Sequence, residues 1–90
     1  MAVFLAWTSA VLTEITEPLP GPWEEMRVVA PDLALIESAD TLSRVYHELK
    51  WFLPEGSALL VAPLDSAPKS KGLAPGSTSW LRERLGSERA

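Results

Sequence analysis

The chain has 90 residues and a mass of 9.8 kDa, the size of one small domain. At that size about two thirds of the unfolded surface is buried, enough for a single two-layer core but for no second domain. A composition 47% hydrophobic and 22% charged is globular. The lack of cysteine excludes disulfides, thiolate metal sites and cysteine nucleophiles, and a lone histidine, His47, excludes multi-histidine metal sites. A net charge of −4 and a pI near 4.8 argue against a protein built mainly to coat nucleic acid.

Ala2–Thr8 is a continuous apolar run, short and without a helical stripe, and reads as a strand buried on both faces. Ser9–Glu17 fits two readings: Ser9 can cap a short helix burying Val11, Leu12 and Ile15, while the threonines also suit a strand. Pro18, Pro20 and Pro22 end whatever precedes them. Pro22 is placed to open a short helical turn with Glu24 and Glu25 at its positive end. Arg27–Ala30 and Leu33–Glu37, flanking Pro31-Asp32, predict an antiparallel hairpin.

Ser38 is the expected cap of the clearest helix, with Asp40 in its first turn. Leu42, Val45, Tyr46, Leu49, Phe52 and Leu53 fall on one face, and Pro54 and Gly56 stop it. Ala58–Leu64 is a second strand apolar on both faces. Asp65–Ser79 is a connection without periodicity. Trp80–Leu85 is a two-turn helix, ended by Gly86, that needs Trp80, Leu81 and Leu85 docked on the body to survive.

This order predicts an α/β (α+β) fold of the ferredoxin-like βαββαβ plan, with helices on one face of the sheet and a short C-terminal helix. The last strand then lies at a sheet edge. So apolar an edge needs pairing across a homodimer or a cover from the C-terminal segment. Pro63 is tolerable there because an edge can spare a donor.

Asn and Gln are absent along with Cys, and proline is frequent between elements, a bias expected of a thermophilic source. Met1–Leu12 lacks the basic start of a signal peptide, and no run approaches the length of a membrane helix, so a cytoplasmic location without membrane contact is expected.

The opening strand Val3-Phe4-Leu5-Ala6-Trp7, the run Leu33-Ala34-Leu35-Ile36-Glu37-Ser38, the following helix, the stretch Gly56–Leu64 and Trp80-Leu81 together resemble the small ferredoxin-like subunit of CRISPR adaptation complexes and its stand-alone relatives. The resemblance implies a homodimer, a sheet-mediated interface and contact with nucleic acid. It also implies a metal-binding aspartate at the end of the first strand, where this chain has Thr8 and Ser9. The nuclease chemistry is therefore not carried over.

No constellation selects a catalytic centre. Glu14/Glu17 and Glu24/Glu25 read as solvated charge, and nothing in the spacing matches Ser9, Ser43 or Ser57 to His47 as base. No cofactor is implied. Trp51 lies opposite the apolar stripe of its helix, beside Arg44, His47 and Glu48, and one turn from His47. A tryptophan there needs a partner: a cover from within the chain, a protein interface or a ligand. With Leu60 and Ala62 on the strand edge, Trp51, His47 and Arg44 are the interface candidates. Residues 1–40 carry seven acids and one base, whereas the remainder carries seven bases and five acids. Lys69, Lys71, Arg82 and Arg84 surround Trp80, a pattern suited to gripping single-stranded nucleic acid by phosphate contact and stacking. The first functional expectation is a non-enzymatic homodimeric interaction or scaffold module, and the second a nucleic-acid-associated protein of the CRISPR adaptation type.

Overall fold

A computed structural model describes residues 1–14 and 20–86. Four strands, β1 (Ala2–Thr8), β2 (Glu25–Ala30), β3 (Leu33–Ser38) and β4 (Leu59–Leu64), form one sheet. Its order is β2-β3-β1-β4, and every neighbouring pair is antiparallel. Helix α1 (Leu42–Phe52) joins β3 to β4, and helix α2 (Ser77–Leu85) follows β4. Between β1 and β2 the described residues hold one 3-10 turn, Leu12–Glu14. The rest of the predicted helix or strand, Ile15 and Glu17 included, lies outside the described residues.

The apolar runs at residues 2–8 and 33–38 take the two central positions, and the equally apolar β4 takes an edge. Side chains alternate across the sheet, and both faces are apolar. On one face Phe4, Ala6, Ala34 and Ile36 meet Val45 and Leu49 of α1, with Leu12 closing the side. On the other face Val3, Val29 and Leu35 meet Trp80 and Leu81 of α2. The expectation of helices on one face is corrected here: the sheet is sandwiched, with one helix per face. Alternation dictates this, because a strand apolar at every position leaves two faces to cover.

Local signals were misplaced at three points. The cap of α1 is Thr41, whose hydroxyl accepts from the Arg44 N–H at 3.1 Å, and not Ser38. Ser38 is the buried last residue of β3; its hydroxyl donates to the Pro22 carbonyl and accepts from the Asp40 N–H. Asp40 precedes the helix and accepts from the Thr41 N–H at 2.8 Å. Pro22 opens no helical turn: the chain bends there and enters β2, with the Glu24 N–H donating to the Glu37 carbonyl at 2.7 Å. Finally, α2 begins at Ser77, three residues earlier than the sequence indicates.

The hairpin β2–β3 turns at Pro31-Asp32 as predicted, with a register shift between Val28 and Ala30; Val29 faces α2 by the same alternation that puts Met26 and Val28 on the α1 face. The connection from β4 to α2 is fastened to β2: the Ala74 N–H donates to the Val29 carbonyl and the Arg27 guanidinium donates to the Pro75 carbonyl. Gly76 then starts α2 at φ 86°, with Arg27 Nη2 2.9 Å from where a Cβ would stand. The backbone angle favours glycine here, and a Cβ would also push the Arg27 guanidinium aside.

Each helix closes half of the core, so both layers should contribute comparably to stability. Leu81→Ala and Leu49→Ala are each expected to cost about 3 kcal/mol in urea denaturation. A loss below about 1 kcal/mol for Leu81→Ala would mean that α2 stands outside the cooperative unit.

Candidate interaction surface

The polar side of α1 carries Arg44, His47 and Trp51. Trp51 is 78% exposed, and its indole makes no hydrogen bond or ring contact among the described residues. A cover from the connection after β4 or from α2 is thus absent, because both lie on the opposite face of the sheet. The expected contact between His47 and Trp51 is also absent. His47 instead meets Tyr46 edge-on, with ring centroids 5.3 Å apart, and Arg44 pairs with Glu48 at 3.6 Å. The indole belongs to a groove of about 410 Å³ formed with Tyr46, Lys50, Leu53, Pro54 and Leu59. This groove joins the end of α1 to the start of β4.

The outer edge of β4 is open: no described strand lies beyond it. Leu60, 59% exposed, sits there with Ala62 on the α2 face of the sheet, and its cross-strand neighbour Trp7 is 39% exposed. Among the described residues no backbone hydrogen bond joins α2 to this edge. Leu60 and Trp7 thus leave apolar surface on the α2 side of this edge, and Trp51 with the half-buried Leu59 on the α1 side. The sequence missed Trp7, because a strand read as buried on both faces hides which residue lies over the end of the sheet.

The stretch read as basic divides in two. Trp80 is 5% exposed, so its ring is core and not a stacking platform. Arg84 lies over that ring, with its guanidinium carbon 4.0 Å from the centroid. It reaches Glu25 at 3.1 Å and Glu37 at 3.3 Å. Glu25 and Glu37 face each other across β2 and β3, where like charges repel, and Arg84 stands between them. Arg84 is thus a structural clamp, and this half of the nucleic-acid expectation is corrected. Lys69, Lys71 and Arg82 remain exposed. Lys69 and Arg82 line one concavity of about 250 Å³ together with Ser70 and Thr78.

None of Ser9, Ser43 or Ser57 hydrogen-bonds His47 among the described residues. The Ser9 hydroxyl accepts from the Ala58 N–H at 2.8 Å and helps to join β1 to β4. Among the described residues no group of three His, Asp or Glu side chains is placed to hold a metal ion, and no helix is long and apolar enough to cross a membrane. No family model, curated protein or solved structure matches this chain.

Removal of Arg84 leaves two carboxylates opposed beside a tryptophan. Arg84→Ala is expected to destabilise the fold by about 2 kcal/mol, and adding Glu37→Gln to recover part of that loss. Equal losses in the single and double variants would show that Arg84 acts only through its packing on Trp80.

Proposed function

We propose that the chain is an interaction or scaffold module that works as a homodimer through the open edge of β4 and the adjoining Trp51 face. The observation that carries this reading is the exposed Leu60, beside the exposed Trp7, on a strand with no described partner on its outer side. Such an edge is a template for another strand and an aggregation hazard when left bare.

The finer ferredoxin-like reading of the fold is supported by the order β2-β3-β1-β4, with β1 and β3 in the centre and each crossover skipping one strand. A single 3-10 turn among the described residues stands where that plan has its first helix.

Light scattering behind a sizing column is expected to give a mass near twice 9.8 kDa at micromolar protein. Trp51→Ala should weaken self-association by about 2 kcal/mol, roughly thirtyfold in Kd, with little change in melting temperature. A fall in melting temperature without a change in mass would instead place the indole in the fold of the monomer.

A second reading, a nucleic-acid-associated protein of the CRISPR adaptation type, draws on the same strand order and on the concavity that Lys69 and Arg82 share. So few cations give modest affinity and a shallow salt dependence. Fluorescence anisotropy with a single-stranded oligonucleotide at low salt should then show binding that Lys69→Ala and Arg82→Ala each reduce. No binding at low salt would dispose of this reading.

A further inference from the structure

The backbone of β4 restricts how a second copy can join it. The Ser9 N–H donates to the Ala58 carbonyl, and the Thr8 N–H to the Asp32 carbonyl, both at 3.1 Å. Odd-numbered residues of β1 therefore turn their peptide groups toward β4, and even-numbered ones toward β3. Carried along the register Val3↔Leu64 to Thr8↔Leu59, Leu60, Ala62 and Leu64 bond inward to β1. Leu59, Val61 and Pro63 face outward. Of these three, Pro63 has no N–H to give. At the other end, the Ser57 N–H already donates to the Pro54 carbonyl at 3.1 Å.

We infer that the partner at this edge is a second copy of the chain, paired antiparallel about a two-fold axis at Leu60, so that the two sheets become one of eight strands. The inference rests on the homodimer reading above and specifies its register. With Leu60 opposite the partner's Leu60, Leu59 and the partner's Val61 exchange both backbone hydrogen bonds, and so does the symmetric pair. The ladder then stops on each side where Ser57 meets the partner's Pro63 and neither has a donor left to offer. Centring on Val61 would keep as many backbone bonds, but it would place Pro63 opposite Leu59 and set each exposed Leu60 opposite an Ala62 instead of its own copy. Centring on Ala62 would place Pro63 opposite Val61 and lose half of the bonds.

Side chains select the same register. Leu60 and Trp7 are cross-strand neighbours on one face, and both are exposed. The two-fold axis at Leu60 brings both copies' leucines together between the two tryptophans, making one apolar row across the joint. Ala62 then faces the partner's Ala58, a pair small enough to leave the strands close. Directly opposed residues of this non-hydrogen-bonded kind have Cα atoms about 4.5 Å apart.

The cysteine-free chain lets this be read by single-cysteine cross-linking. Leu60→Cys, Val61→Cys and Ala62→Cys are made separately and checked for folding by circular dichroism. Each is then mildly oxidised and run on a non-reducing gel, beside light scattering of the unmodified chain. A disulfide needs Cα atoms about 4.4–6.8 Å apart, which the inferred register offers only to the self-opposed position. Leu60→Cys is expected to form a covalent dimer about tenfold faster than the other two. A dimer in which Val61→Cys or Ala62→Cys links faster, or in which none links, overturns the register and leaves the homodimer standing. A monomeric unmodified chain overturns both.

Discussion

Strands β1 and β3 are apolar on both sides, and the rest of the molecule is arranged to meet that demand. Neither leaves a face to water: two further strands flank them in the sheet and a helix closes each face. Burying Phe4 and Ile36 on one side and Val3 and Leu35 on the other removes most of the large side chains of a small chain from solvent. At this length the core has little surplus. That is why a helix as polar as α2 is held by specific contacts: Trp80 and Leu81 in the core, and Arg84 clamped on two carboxylates.

The strands, the hairpin and α1 were legible because each is written in local chemistry. Short continuous apolar runs gave β1 and β4, two such runs around Pro31-Asp32 gave the β2–β3 hairpin, and a three- and four-residue stripe gave α1. The side of the sheet taken by α2 was not legible. It depends on a connection without periodicity and on the tie of Ala74 and Pro75 to β2, which no local pattern announces. The cap of α1 was misread for a similar reason. Ser38, Asp40 and Thr41 are all good caps in isolation, and the choice is made by the Pro22 carbonyl, which engages Ser38 from a distant part of the chain.

The surface candidates divided along the same line. Trp51 and Leu60, named in sequence as interface candidates, are both exposed in the fold, where a helix of known phase and a terminal edge strand turn their outer sides to solvent. Trp80 and Arg84 looked like neighbours of Lys69 and Lys71 but belong to the core and its clamp. Clustering in sequence said that these residues are close along the chain, and not that they share a surface. The acids that capture Arg84 lie on β2 and β3, in the half of the chain read only as negatively charged.

The placement of β1 between β3 and β4 also bears on how the fold is reached. Val3 must find Glu37 on one side and Leu64 on the other, so its second partner is made only after two thirds of the chain has followed it. Closing so long a loop is entropically slow compared with forming the β2–β3 hairpin or α1. The order of events this topology favours starts from the middle, with hairpin and helix offering a half-built face on which β1 docks, then β4, and α2 last. Until β4 arrives, the apolar strand β1 is an unfinished edge, and the rate at which residues 59–64 reach it sets how long the nascent protein is vulnerable to pairing with the wrong chain.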